Sequence, residues 1–167
     1  MIVRPEAREH GRYYDRYVAL VEDDDLLTAL TEPVTSALVR AADSGRASHA
    51  YAPGKWTVAG VVQHVIDTER VFAYRALRVA RGDDTPLPGY DQDGFAAHAP
   101  DRPLGDLADE LDRVRASTLD LLAALAPHAL ARIGTASDQP LSARGAGWII
   151  AGHDRHHAAV LRERYLP

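Results

Sequence analysis

Three of the eight histidines of this chain fall within the run GHDRHH, residues 152–157. If this run is helical, His153 and His157 are one turn apart and project from the same face. That spacing lets two imidazoles bind one metal ion, as in the HExxH helix of metalloproteases. Residue 154 is Asp, so the glutamate of that motif is absent and a metalloprotease of this type is excluded. The two histidines can instead be hydrogen-bonded structural residues, and the spacing alone leaves both interpretations open.

Helices must position these histidines, and the periodicity of apolar residues is strongly helical in four segments: 24–42, 58–81, 104–126 and 143–165. Thr57 and Ser142 are the expected N-caps of the second and fourth helices, and Gly82 is expected to end the second. Pro33 should kink the first helix or end its first turn. Strand signals are weak almost throughout the chain. The pattern predicts an all-α four-helix bundle with a short extra N-terminal helix within residues 11–21.

The predicted helices are joined by long connections, at residues 43–56, 82–103 and 127–141. Connections in helical bundles usually have about two to eight residues. Connections of this length allow crossovers between helices that are not neighbours, and they often cover or build a site. The second connection contains TPLPGYDQDGF, rich in proline, glycine and aspartate, and is the best candidate for a lid.

A helical projection of the fourth segment decides which way its polar residues point. The apolar stripe of this helix consists of Ala146, Ile149, Ile150, Val160 and Leu161. His153 and His157 fall close to the centre of that stripe, and His156 lies on its flank. Asp154 and Arg155 are predicted to face solvent.

A catalytic metal site needs a third protein ligand and an open coordination position. Four of the remaining histidines lie in predicted loops or termini, and His64 lies in the second long helix. His64 is at the edge of the apolar arc of that helix, where it can face the interior of a bundle. The alternative is that His64 lies at the boundary of the core and donates a hydrogen bond to a neighbouring carbonyl.

Glu69 projects from the middle of the apolar arc of the second helix. A carboxylate there is costly unless it is paired with a cation. It could pair with a core-facing arginine such as Arg144, or it could orient a metal-binding histidine. The ion pair is the preferred interpretation.

Composition narrows the classes of function. The formal net charge is -5 with no basic block, which disfavours nucleic-acid binding through phosphate contacts. There is no cysteine, so disulfides, thiolate ligands and a cysteine nucleophile are excluded. The first residues do not resemble a signal peptide, and no apolar run reaches the ~18 residues of a membrane span. We expect one domain, residues 1–167, in a cytoplasmic protein that does not bind membranes.

The segments APGKWTVAGVVQHVIDTERVFAYR, TPLPGYDQD and GHDRHH together resemble the DinB/YfiT-like superfamily of metal-dependent enzymes. The likeness extends from about residue 14 to the C-terminus. It implies a four-helix bundle with crossover connections and one divalent metal ion, zinc or nickel. The ion would be held by His64, His153 and His157. Asp154 departs from the family pattern, in which glutamate is expected more often.

The resemblance implies an enzyme that acts on a small molecule, either a hydrolase or a thiol-dependent transferase. Since the chain has no cysteine, the second activity would need a low-molecular-weight thiol as cosubstrate. Candidates for acid–base catalysis are Asp67, Glu69, Asp91 and His156. The alternative is a non-catalytic metal-binding or ligand-binding protein of a stress response. An open pocket above the metal, lined by residues 82–103, would favour the enzyme.

The N-terminal segment GRYYDRYVALV is apolar and aromatic, and it is surplus to a four-helix core. It could cover the surface of a second copy, which predicts a homodimer. The alternative is that the segment packs on its own bundle.

Overall fold

The computed structural model describes residues 1–31 and 34–166. It contains the long helices α4 (Val58–Ala80), α6 (Leu104–Ala123) and α8 (Ala143–Val160). The first predicted helix corresponds to α2 (Leu26–Thr31) and α3 (Val34–Ala41). Pro33, the predicted kink, lies outside the described residues. Helix α1 (Asp15–Val18) is the predicted short N-terminal helix. Together these helices confirm the predicted all-α bundle. In the part of the chain that is described, no helix has both the length and the apolar character to cross a bilayer.

The predicted ends of the long helices are largely confirmed. Thr57 Oγ accepts a hydrogen bond from the backbone N–H of Gly60 at 3.0 Å, and Ser142 Oγ accepts one from Gly145 at 2.9 Å. Gly82 follows α4 with a φ of 81°, the left-handed conformation that ends many helices. Helix α8 continues into a π-helical turn, Leu161–Tyr165.

The second and third connections contain structure of their own. The second includes the short helix α5 (Gln92–Ala97). The third contains α7 (Pro127–Leu130) and an antiparallel hairpin formed by β1 (Ile133–Ala136) and β2 (Gln139–Ser142). The prediction that α6 runs to residue 126 is wrong, because α6 ends at Ala123 and Pro127 instead begins α7, where its missing N–H costs nothing.

The long connections cross the bundle. Helix α4 packs against α6 and α8, and α2 and α3 pack against the same two helices from the opposite side. Consecutive helices α3 and α4 are therefore diagonal neighbours, and the connection between them, residues 42–57, must cross the end of the bundle. This arrangement explains why two-residue to eight-residue loops would not suffice.

A polar layer divides the bundle core into two apolar clusters. One cluster includes Leu26, Leu30, Phe72, Leu122, Trp148 and Ile149, and the other includes Val39, Val62, Ile66, Leu107, Leu111 and Leu161. Each long helix contributes buried polar side chains between them: Thr35, Ser36, Thr68, Glu69, Arg115, Thr118, His153 and Asp154. Of the candidate metal ligands, His64 and His153 are buried and His157 is half-buried.

The prediction that Asp154 faces solvent is wrong. Its side chain is buried, with only 1% of the residue exposed, and Arg155 is half-buried and donates to Asp23 Oδ2 at 2.9 Å. Helix α8 is surrounded, since α1, α2, α3 and α4 all pack against it. A helix enclosed in this way has no wide solvent face, so the apolar stripe does not mark its full buried surface.

The N-terminal segment packs on its own bundle. Tyr17 and Val18 are buried, and the backbone of Tyr17 lies directly against Gly152 of α8. A Cβ at position 152 would lie 1.9 Å from the carbonyl oxygen of Tyr17, so only glycine fits there. The homodimer stays a prediction, and the residues of this segment that are buried internally cannot contribute to its interface.

We expect Gly152→Ala to lower the free energy of unfolding by about 1–3 kcal/mol, because α1 must move away from α8 to admit the methyl group. Chemical denaturation measures the change. The matched control is Gly105→Ala in α6, where a Cβ meets no atom within 4 Å. This control should leave stability unchanged or raise it by up to about 1 kcal/mol. Equal stability of the two variants would contradict the close contact.

Candidate metal centre

Three histidines from two helices converge in the polar layer. His64 projects from α4, and His153 and His157 project from α8. One nitrogen atom from each ring can be chosen so that all three lie within 4.8 Å of one another. The ring centroids are 4.9 Å apart for His64 and His153, 4.9 Å for His64 and His157, and 4.4 Å for His153 and His157. The structure therefore brings together the three histidines that the sequence analysis selected.

The geometry and hydrogen bonding of this cluster fit a metal ion. His64 Nε2 and His153 Nε2 are 3.1 Å apart. Two nitrogen ligands bound at right-angled or tetrahedral positions, about 2.0–2.1 Å from one ion, are separated by about 2.9–3.4 Å. The buried Nδ1 of His157 has no hydrogen-bond partner among the described residues. An unsatisfied buried nitrogen is costly, and a bound ion or a further hydrogen-bond partner would remove that cost.

Burial keeps all three imidazoles neutral. Desolvation lowers the pKa of His64 to about 4 and that of His157 to about 3. Desolvation also lowers the pKa of His153 well below its ordinary value, with a further contribution from the neighbouring imidazoles. Neutral imidazole is the form that binds metals, so these rings need not lose protons at pH 7 before they can act as ligands.

Aromatic rings hold two of the histidines in place. The ring of Tyr17 meets His153 at an edge, with centroids 5.3 Å apart, and Trp56 packs on His64 at 4.9 Å. Tyr17 reaches this position through the contact between its backbone and Gly152. The N-terminal segment and the first connection thus contribute walls of the site, a role that sequence reasoning missed.

The predicted ion pair of Glu69 is confirmed, but with a different partner. Arg115 of α6 donates to Glu69 through Nε and Nη2, each at 2.9 Å, and its Nη2 also lies 3.3 Å from Asp154 Oδ2. Arg144, the predicted partner, instead pairs with Glu9 near the N-terminus. Since both oxygens of Glu69 accept from Arg115, its carboxylate is committed to the bundle interior.

The other acid–base candidates lie at different distances from the cluster. His156 is nearest, with its ring centroid 4.9 Å from that of His157 and 5.5 Å from that of Tyr17. Asp67 accepts a hydrogen bond from Gln63 at 2.9 Å, and Asp91 caps α5 through the backbone N–H groups of residues 93 and 94. Asp67 and Asp91 line a cavity of about 600 Å³ beside α5, and the three histidines are not among the residues that line it.

A second cavity, of about 320 Å³, reaches the cluster at His153. Its walls come from the N-terminal tyrosines, α4, α8, the turn of the β-hairpin, and Gly89, Tyr90 and Gln92 of the second connection. Both cavities are lined by the connection that the sequence analysis identified as a candidate lid. This arrangement gives a small molecule access to one of the three histidines.

Sequence reasoning missed Arg75, Tyr90 and Ser137, which line the smaller cavity. Arg75 was detectable in principle, because it lies at the edge of the apolar arc of α4, on one helical face with Thr68 and about 1.7 turns after Glu69. No sequence pattern indicated that Ser137 would line the cavity. It and Asp138 adopt positive φ values of 52° and 59°, and the usual Asn-Gly sequence of such turns is absent.

We expect Arg115→Met to destabilise the protein by about 3–5 kcal/mol, because it leaves Glu69 and Asp154 buried without their cation. Urea denaturation at pH 7 measures the loss. The matched control is Arg40→Met, which removes an exposed arginine that pairs with Asp109 and Asp112 on the surface. This control should change stability little, because solvent screens exposed pairs. A small effect of Arg115→Met would show that the buried network does not hold the bundle together.

Comparison with known proteins gives one family and two related folds. The family model described as the DinB superfamily matches residues 19–161. YfiT from Bacillus subtilis, described as "a probable metal-dependent hydrolase with an unusual four-helix bundle topology", superposes with a TM-score of 0.68. That match has 18% sequence identity and covers 95% of this chain and 89% of YfiT.

The second structure is YjoA, a DinB-like protein from Bacillus subtilis, with a TM-score of 0.54 and 17% identity over 92% of this chain and 96% of that one. At these identities, the two structures establish a shared fold. No curated protein matches the chain in sequence. The family model confirms the resemblance that the histidine motifs indicated.

Proposed function

Because the chain belongs to the DinB superfamily, we propose that it is a metal-dependent enzyme that acts on a small molecule. The observation that carries the proposal is the convergence of three neutral imidazoles beside a cavity. His64, His153 and His157 would hold one divalent ion. Imidazole ligands suit zinc and nickel, which remain the proposed metals.

A bound divalent ion supplies Lewis-acid chemistry, by which it polarises a substrate oxygen or lowers the pKa of water or of a thiol. The chain itself does the positioning. Tyr17 and Trp56 restrict the rings of His153 and His64, and the Glu69–Arg115–Asp154 network fixes the helices that carry them. His156 is the acid–base candidate closest to the ligands, and Glu69 acts as a structural residue.

Hydrolysis is the reaction we favour, because YfiT, which shares the fold, is described as a probable metal-dependent hydrolase. A thiol-dependent transferase stays a prediction from the family resemblance, and it would need an external thiol because the chain has no cysteine. The cavity beside His153 favours an enzyme over a non-catalytic metal-binding protein, because it leaves room for a substrate. We further propose that the protein has no nucleic-acid partner, since its net charge is -5. The cytoplasmic location stays a prediction.

We expect about one divalent ion per chain, and we expect the double variant His153→Ala, His157→Ala to lose it. Mass spectrometry of the purified proteins for bound metals gives the stoichiometry. The matched control removes two exposed histidines, through His98→Ala and His128→Ala, and should keep the ion. Retention of full stoichiometry by the first double variant would place the metal elsewhere.

We expect chelation at pH 7.5 to leave the helical circular dichroism intact while abolishing hydrolysis of an activated ester such as 4-nitrophenyl acetate. Two apolar clusters support the fold without the ion, and the unoccupied imidazoles stay uncharged. Stability should fall only by the binding contribution, about 3–4 kcal/mol at a hundred to a thousand times the dissociation constant. Added zinc or nickel should restore turnover. Loss of the helical signal on chelation would identify a structural ion instead.

A further inference from the structure

Arg75 is a buried cation without an anionic partner. Only 3% of the residue is exposed, and its Nη2 donates to two neutral acceptors, Pro88 O at 2.7 Å and Ser137 Oγ at 3.0 Å. No carboxylate of residues 1–31 or 34–166 forms a salt bridge with it. By contrast, the equally buried Arg115 pairs with two carboxylates. A buried charge that lacks a counterion is costly, so the position of Arg75 indicates that an anion comes from outside the chain.

The cavity that Arg75 lines is also the cavity that reaches His153. Five aromatic rings form much of its wall: Tyr13, Tyr14, Tyr17, Phe72 and Tyr90. The guanidinium itself lies 5.0 Å from the centroid of the Phe72 ring. Among the described residues that line this cavity there is no Asp, Glu or Lys, and Arg75 is the only arginine. The cavity is therefore largely aromatic, with neutral polar side chains from Thr68, Gln92 and Ser137, one positive charge and a histidine of the candidate metal centre.

The donors of Arg75 match a carboxylate. A guanidinium has five N–H donors, and Pro88 O, Ser137 Oγ and the Tyr14 hydroxyl account for three of them, which leaves two. The Tyr14 hydroxyl also lies against the guanidinium. Burial raises the pKa of Tyr14, and Arg75 offsets part of that rise. Arginine pairs with carboxylates through two parallel hydrogen bonds. A single positive charge balances a monoanion, whereas a phosphate dianion would remain half uncompensated.

We propose that this cavity binds a small aromatic carboxylate, with the carboxylate on Arg75, the ring among the tyrosines and its other substituents directed toward His153. The volume of about 320 Å³ lies at the lower end of the range for small-molecule sites. The proposal rests on the proposed function for the claim that the bound molecule is the substrate. Binding itself requires only Arg75 and the aromatic walls.

Benzoate and benzamide, which have similar shapes and differ in charge, test the proposal on the native protein. Ligand-observed NMR or calorimetry is carried out on the metal-loaded and the chelated protein. We expect benzoate to bind at least about tenfold more tightly than benzamide in both forms, since a tenfold difference corresponds to one charge-assisted contact. Equal affinities, or no benzoate binding to either form, would overturn the proposal.

Variants then assign the preference to a residue. Arg75→Met should lose the tenfold preference for benzoate. Arg78→Met is the matched control, because Arg78 lies on the same helix but pairs with Asp83 outside the cavity, and it should keep the preference. If Arg75→Met does not fold, the comparison of benzoate with benzamide on the native protein still decides.

The two proposals fail in different ways. If benzoate is preferred only in the metal-loaded protein and Arg75→Met keeps that preference, the carboxylate binds the ion. That result overturns the role of Arg75 and leaves the metal-dependent enzyme standing. If the protein binds no ion but still prefers benzoate through Arg75, the metal proposal fails and the carboxylate site stands.

Discussion

Arg115 lies at the centre of the bundle and donates hydrogen bonds to Glu69 on α4, to Asp154 on α8 and to the carbonyl of Leu30 on α2. Asp154 in turn accepts from the backbone N–H of Thr35 on α3, at 3.3 Å. One arginine thus connects every long element of the bundle. The cost of separating these charges inside the protein restricts how far each helix can rotate or slide. The direction of each candidate metal ligand follows from that restriction.

The same network explains why the histidines can converge without help from an ion. His153 is adjacent to Asp154 in sequence, and His64 is on the same helix as Glu69. Once Arg115 fixes the rotation of α4 and α8, the rings of these histidines face each other. The apolar clusters above and below the polar layer then exclude water and keep the imidazoles neutral. The network therefore positions the proposed ligands, and the apolar clusters keep them neutral.

The sequence predicted features that depend on local periodicity and on single side chains. The inward direction of His153 and His157, the caps Thr57 and Ser142 and the ionic role of Glu69 all follow from where a residue lies on its own helix. The solvent-facing prediction for Asp154 failed because it assumed that residues off the apolar stripe of α8 face solvent, and α8 is surrounded. The partner of Glu69 could not be predicted either, because α6, which carries Arg115, and α8, which carries Arg144, both pack against α4.

Other parts of the site depend on contacts between distant segments. Tyr17 reaches His153 only because Gly152 lets two backbones approach closely, and Ser137 reaches Arg75 through a turn with no glycine or asparagine. Neither contact is marked by a periodic pattern of residues in the sequence. The length of the connections, by contrast, could be read from the sequence and allowed crossovers. The crossovers themselves were implied by the family resemblance.

We propose that His64, His153 and His157 hold one ion whose remaining coordination position faces the cavity lined by Arg75. Anomalous diffraction at the zinc edge, from crystals of the zinc-loaded protein, would locate this ion. We expect one strong peak, about 2.0–2.1 Å from a nitrogen atom of each of the three rings, with a non-protein ligand on the cavity side. A peak at another site, or a fourth protein side chain that closes the position toward the cavity, would contradict it.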